Sequence, residues 1–177
     1  MATTKWALDP SHSELQFKIR HLMITTVTGH FAKFNVTAET EGTDFTQAKI
    51  QVSAEIESIS TNSPDRDAHL KSPDFFDAAT YPQLTFVSTG IEKDGDDFVV
   101  NGDLTMHGVT KPVELKVEFG GVVVDPYGQT KAGFTITSKL NRKEFGLTWG
   151  VVTEAGSVVL SDEVKLNAEI QLIQQAS

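Results

Sequence analysis

Lys49-Ile50-Gln51-Val52-Ser53-Ala54-Glu55-Ile56-Glu57-Ser58 decides the fold. Apolar and polar residues alternate through it almost without error, the period-2 signature of a strand with one face buried and one in water. Then the alternation stops. Thr61-Asn62-Ser63-Pro64 leads into Asp65-Arg66-Asp67-Ala68-His69-Leu70-Lys71, and Ser72-Pro73-Asp74-Phe75-Phe76-Asp77 follows directly. Both segments open with Ser at the N-cap, Pro at the first helical position and Asp at the second, where a carboxylate meets free amide donors. The pattern predicts two short helical pieces set into a chain that otherwise reads as sheet.

On either side of this insert the period-2 pattern returns. Leu15, Phe17 and Ile19 share a face before it, and Phe34, Val36 and Ala38 share another. Phe31 is out of phase with Phe34: either a bulge near Ala32 flips the parity, or Phe31 lies at a plain edge without burial. Trp6 and Leu8 precede the Asp9-Pro10 turn signal and are placed as a plug for one end. After Tyr81-Pro82, strands follow through Leu84, Phe86 and Ser88, then Phe98 to Met106, Val113 to Phe119, Ala132 to Leu140 and Val164 to Leu172. Turns are predicted at Lys93-Asp94-Gly95-Asp96 with Asp-Gly at the centre, from His107 to Pro112, and at Asp125-Pro126-Tyr127-Gly128. Asn141 to Asp162, with its Phe145-Gly146-Leu147-Thr148-Trp149-Gly150, reads as a long structured loop.

This makes eight strand candidates, counting 49–58, without a βαβ rhythm, hence an antiparallel sheet. A sandwich and a closed barrel both bury one face of each strand; the length of several candidates favours the barrel, because tilt lengthens its strands. The insert then lies across or beside one mouth. A chain of 177 residues fits a single domain over 1–177. Its net charge of -9 argues against nucleic-acid or anionic-membrane partners. Cysteine is absent, which removes disulfides, thiol nucleophiles and thiolate metal sites. No apolar run resembles a signal sequence or a membrane span, so the expected location is cytoplasmic, or periplasmic had a signal peptide been removed.

The expected inward set mixes bulky residues (Phe17, Phe34, Phe86, Phe98, Phe119, Phe134) with small ones (Ala38, Ala54, Ser58, Gly102, Ala132, Ser138, Ala168). Small residues on an apolar face are either tapers filled by a neighbouring Phe or the lining of a channel. A channel of this composition suits a long apolar ligand with few polar demands. His12, His21, His30, His69 and His107 show no ligand-like spacing, and no hydrolase elbow, phosphate loop or dinucleotide fingerprint is present. His12 and His107 sit beside turns, where an imidazole commonly meets a backbone carbonyl. Arg66 and His69 share a helix face, and Asp67 is placed to pair with Arg142 or Arg20. We read Arg66, Asp67, His69 and Arg142 as the network that anchors the insert, with no catalytic residue and no metal site.

Across Trp6-Ala7-Leu8-Asp9-Pro10-Ser11-His12-Ser13, Gly29-His30-Phe31, Arg66-Asp67-Ala68-His69-Leu70-Lys71-Ser72-Pro73-Asp74-Phe75-Phe76, Gly102-Asp103-Leu104-Thr105-Met106-His107-Gly108 and Asn141-Arg142-Lys143-Glu144-Phe145-Gly146, the chain resembles the YceI-like family, also described as polyisoprenoid-binding and lipocalin-like. The match covers essentially the whole chain in order. It implies an extended eight-stranded antiparallel lipocalin-like barrel with a short helical insert, often a homodimer, whose interior takes a long isoprenoid or fatty chain. Gly146-Leu147 departs from it as a more apolar step after the Phe-Gly pair.

Taken with the interior pattern, the resemblance implies one bound isoprenoid quinone, polyprenyl or acyl derivative and no other cofactor. The expected contacts are Phe17, Ile19, Phe34, Val36, Val52, Ile56, Phe75, Phe76, Phe86, Leu104, Phe134 and Ile136. Phe75 and Phe76 should face different surroundings, one the mouth and one the outer sheet or a partner subunit. Binding for carriage, storage or sensing is the first expectation. An enzyme on a lipid-like substrate and a ligand-free structural protein are the alternatives, told apart by whether the interior is hollow and which histidines reach its wall. A sealed tunnel touched by at most one histidine is expected.

Overall fold

Val52 stands opposite Val36 on one side and Phe86 on the other, so the deciding stretch is paired along both edges. The computed structural model describes residues 3–22, 24–147 and 160–176. Among these the strands are β1 (Thr3–Leu8), β2 (Glu14–His21), β3 (Thr25–Phe31), β4 (Phe34–Glu41), β5 (Asp44–Glu55), β6 (Ile59–Ser60), β7 (Gln83–Asp94), β8 (Asp97–Met106), β9 (Val109–Val124), β10 (Thr130–Asn141) and β11 (Leu160–Gln174), with helix α1 (Pro64–Lys71) between β6 and β7. Every pairing is antiparallel. Both β1 and β2 pair with β11, β4 and β3 pair with β1 and β2 in turn, and β5 and β6 continue the pattern. Three pairs of segments are thus three long kinked strands. With β7 to β11 they form an eight-stranded barrel, which the β1–β11 pairing closes. The closed ring of pairings excludes a sandwich.

The kinks explain the broken phase in the sequence. Between β3 and β4 the Ala32 N–H donates to the Ser58 carbonyl (3.1 Å) and the Glu55 N–H to the Lys33 carbonyl (2.9 Å). The parity flips there, so Phe31 (4% exposed) and Phe34 both turn inward. The bulge reading is the right one. Trp6 and Leu8 belong to a wall strand, and Trp6 plugs one end as expected. Trp6 fills that end from within, its Nε1–H donating to Thr40 Oγ1 (2.8 Å). At the β1–β2 corner, Asp9 accepts from the Ser11 hydroxyl (2.7 Å) and Lys131 Nζ (3.1 Å), with His12 Nδ1 at 2.8 Å. These bonds, the Ser11 hydroxyl foremost, hold its carboxyl well below the usual carboxylate range against the opposing effect of burial.

Other boundaries shift. Only the first helical piece is a helix, with Ser63 as its N-cap. Ser72 caps its C-terminus in an extended conformation, and the chain reverses: Phe76 N–H donates to the Leu70 carbonyl and Ala78 N–H to that of Lys71. Residues 73–76 therefore run as turns, because the carbonyls they would extend are already used. The β8–β9 turn is only His107-Gly108, both at positive φ (56° and 74°), and Val109 to Pro112 already belong to β9. Asp94 pairs with Asp97, so Gly95-Asp96 is the centre of the β7–β8 turn. Asn141 closes β10, Arg142–Phe145 form a 3-10 turn capped by Gly146 (φ 76°), and Leu160 to Asp162 open β11. The loop expected between them falls on residues 148–159, outside the described residues.

One end of the barrel is stoppered by rings. Phe45 meets Trp6 (centroids 5.1 Å), Phe119 (5.9 Å) and Phe134 (5.1 Å), while Phe119 also meets Phe98 (5.6 Å). At the opposite end Phe17, Phe31, Ala54, Ile56, Ile59 and Ala78 make a second cluster under the insert.

Candidate functional site

Between the stopper and the insert the barrel is hollow. A cavity of about 380 Å³ runs along the interior, within the range of small-molecule sites. Phe17 and Ile19 reach it from β2, Phe34 and Val36 from β4, Val52 from β5, Phe86 from β7, Leu104 from β8, and Phe134 and Ile136 from β10. Ile56 does not. The 3-10 turn that follows β5 takes it out of the strand's alternation, and it is buried (2% exposed) in the cluster under the insert. Phe75 and Phe76 both line the cavity, correcting the expectation that one faces away. The reversal after α1 folds both rings inward, Phe75 against His69 and Phe76 against Phe31.

The small residues divide. Ala38 and Ala168 line the void. Gly102 is a taper: a Cβ there would run into the Phe86 ring and the Val87 carbonyl. Several wall residues escaped the sequence reading. Ile91 is brought inward by a register shift between Ser88 and Gly90, and Phe45 precedes the clean alternation of its strand. Leu147 and Leu160 flank the undescribed residues, and only their apolarity signalled them.

Polarity is confined to one end. His21, Thr61, Arg66, His69 and Arg142 are the polar wall residues, and among the described residues no Asp or Glu lines the cavity. Thr61 organises this mouth. Its N–H and hydroxyl donate to Asp67 Oδ1 (2.8 and 2.6 Å), while its hydroxyl and carbonyl oxygens accept from Arg66 Nε (2.7 Å) and Nη2 (2.6 Å). Asp67 therefore bonds to Thr61 rather than forming the expected pair with Arg142 or Arg20: the carboxylate caps the strand end nearest in sequence. Arg142 (3% exposed) donates from Nε to the Ser161 carbonyl (2.9 Å) and from Nη1 to that of Leu147 (2.7 Å). These bonds brace the β10–β11 end rather than the insert. Burial pulls its guanidinium below the usual arginine range, Asp162 opposing.

His69 does serve the insert. Its Nε2 lies 2.8 Å from Asp74 Oδ2, tying α1 to the turns that follow. Two histidines, His21 and His69, reach the wall, not the single one expected at most; the inward fold of the insert carries His69 there. His107 Nδ1 meets the Phe145 carbonyl (3.2 Å) as its turn position suggested, whereas His12 pairs with Asp9. Among the described residues no cluster of three or more His, Asp or Glu is placed to hold a metal, and no helix is long and apolar enough to cross a membrane.

A closed antiparallel barrel, apolar within and polar at one mouth, defines a hollow lipocalin-like protein. The chain belongs to the YceI-like family, whose domain model matches residues 6–172. It is 38% identical to Protein YceI of Escherichia coli O157:H7 over 164 residues, covering 93% of this chain and 83% of that one. Its fold matches the Campylobacter jejuni YceI protein with a TM-score of 0.76 at 32% identity, over 96% of this chain and 97% of that one. Burkholderia cenocepacia BcnA matches in fold with a TM-score of 0.80 at 23% identity (93% and 98% covered). A polyisoprenoid binding domain from Saccharophagus degradans matches in fold at 0.69 and 16% identity (96% and 98% covered).

Proposed function

We propose that the protein binds one long apolar molecule, an isoprenoid quinone, polyprenyl or acyl derivative, along the barrel interior for carriage, storage or sensing. The observation that carries this reading is the distribution of polarity in the cavity: an apolar bore closed by rings at one end and ringed by His21, Thr61, Arg66, His69 and Arg142 at the other. Each CH₂ taken from water contributes about 0.8 kcal/mol, so even part of a prenyl chain binds firmly. A small head group rests at the mouth, where hydrogen-bond donors predominate. The polyisoprenoid binding domain with the same fold supports this choice of ligand class. Organic extraction of the purified protein followed by mass spectrometry should release a stoichiometric long-chain lipid. Lipid-free extracts, together with no uptake of apolar fluorophores, refute the reading. Homodimer formation belongs to the same proposal, and sedimentation equilibrium tests it.

One observation favours a second reading. His69 with Asp74 at 2.8 Å is the pair a general base requires, and His69 is on the cavity wall. An enzyme on a lipid-like substrate would use it to hydrolyse or isomerise the head of the ligand. Change in an extracted or added lipid on incubation with the wild type, abolished by His69→Gln, distinguishes catalysis from binding.

A further inference from the structure

The barrel wall has a gap. Strands β1 and β4 are in register from Thr3↔Glu41 to Ala7↔Thr37, and the pairing of the same two kinked strands resumes only at Gln16↔His30 between β2 and β3. Among the described residues no hydrogen bond joins residues 9–14 to residues 32–35. The neighbouring seams are stitched across the same kinks. On one side Asp9 N–H donates to the Gln171 carbonyl (2.9 Å), and Gln171 N–H donates to Ser13 Oγ (3.0 Å). On the other, the Ala32–Ser58 and Lys33–Glu55 bonds hold β3 and β4 to the next strand. Of the three seams that cross these kinks, the one between them is left open among the described residues.

A cleft of about 310 Å³ occupies it, rimmed by Pro10, Ser13, Glu14, Gln16, His30 and Ala32. Its floor is Leu15, Phe31 and Phe34, which are also wall residues of the central cavity. Cleft and cavity are thus separated by three apolar side chains with no backbone ladder behind them. Such side chains move by rotamer changes, whereas opening a laddered stretch of this wall breaks hydrogen bonds.

The geometry points to this seam as a side outlet for the bound chain: the tail of a ligand longer than the cavity passes between Leu15, Phe31 and Phe34 into the cleft. The inference rests on the reading of the cavity as a chain-binding site. The stopper of Trp6, Phe45, Phe98, Phe119 and Phe134 closes the far end, so a chain with its head at the mouth and more length than the cavity holds needs another way out. The rim is polar, so length in the cleft adds little affinity. The consequence is tolerance: the protein accepts chains of any length above the one that fills it.

The test is a length series of prenols (geraniol, farnesol, geranylgeraniol and solanesol) displacing N-phenylnaphthylamine from the wild-type protein. Affinity should rise with the first three and then level, with solanesol at least as tight as geranylgeraniol. In Ala32→Trp, which places an indole in the cleft at a position that is not itself a cavity wall residue, solanesol should weaken by about tenfold while farnesol is unchanged. A second measurement uses the absence of cysteine: bimane on Ala32→Cys should be quenched by a long prenyl chain brominated at its tail, and not by a short one. Overturning results are solanesol binding about tenfold more weakly than geranylgeraniol to the wild type, or no quenching by the long chain. Displacement by short prenols with rejection of solanesol overturns the outlet alone; displacement by none overturns the chain-binding reading as well.

Discussion

Thr61 is where the insert is fastened. It is 4% exposed, and its main chain and hydroxyl together serve both Asp67 and Arg66. Thr61→Val keeps the β-branched shape and deletes the hydroxyl, leaving a carboxylate and a guanidinium each short of one bond. Hydrogen bonds to charged groups are worth about 1.5–3 kcal/mol, so the unfolding free energy from urea titration should fall by roughly that much. Arg66→Ala should cost less, about 1 kcal/mol, because the arginine is exposed. Both variants should speed release of a bound apolar fluorophore, since the insert carries Phe75 and Phe76 over the cavity. Unchanged melting and unchanged retention in both would show that the network does not hold the insert.

Among the elements, the β1–β2 corner carries the clearest electrostatic signature. Asp9 joins the corner to β10 through Lys131, which also reaches Asp125 Oδ2 (3.3 Å) in the β9–β10 turn. The Asp9 carboxyl is depressed in the folded state, whereas an unfolded aspartate titrates near about 3.9. Its contribution is therefore complete above about pH 4 and is lost as pH falls from there through the folded value. Lys131 is raised, chiefly by its bond to Asp9, so its contribution is complete below the unfolded lysine value and lost as pH rises through the folded one. Asp9→Asn should lower the melting temperature at neutral pH and flatten its decline between about pH 4 and pH 2. A decline as steep as the wild type's would assign acid sensitivity to other carboxylates.

For the whole molecule, what matters is that the side chains of eight strands fail to fill the bore. Filling a real void adds contacts, whereas enlarging a side chain in a packed core costs about 1–3 kcal/mol. Ala168 lines the cavity at 6% exposure. Ala168→Phe should keep the melting temperature within a few degrees and abolish uptake of apolar fluorophores. Gly102→Ala is the contrasting case, because the Phe86 ring already occupies the space. It should lower stability by about 1–3 kcal/mol, seen as a shifted urea midpoint. If both substitutions were equally destabilising, the interior would be packed and the binding proposal would fall.

Alternation is a local property, and what depended on it was legible in the amino-acid order. The eight strands, their antiparallel pairing, most inward faces and the Ser63-Pro64 start of α1 follow from neighbours within a few residues of each other. The Phe31–Phe34 phase break was visible too, but not its outcome, which turned on the hydrogen bonds that join Ala32 to Ser58 and Lys33 to Glu55, more than twenty positions away. The same holds for Asp67, whose partner proved to be Thr61, and for His69, carried inward by the reversal after Ser72. Ile56 left its face because one 3-10 turn ended the period. Hollowness lay furthest from the sequence. A void is set by how side chains from every strand sum across the barrel, so Ala38 and Ala168 line empty space while Gly102, equally small, lies under Phe86. One dimension records which residues face inward; only the closed barrel decides whether they meet.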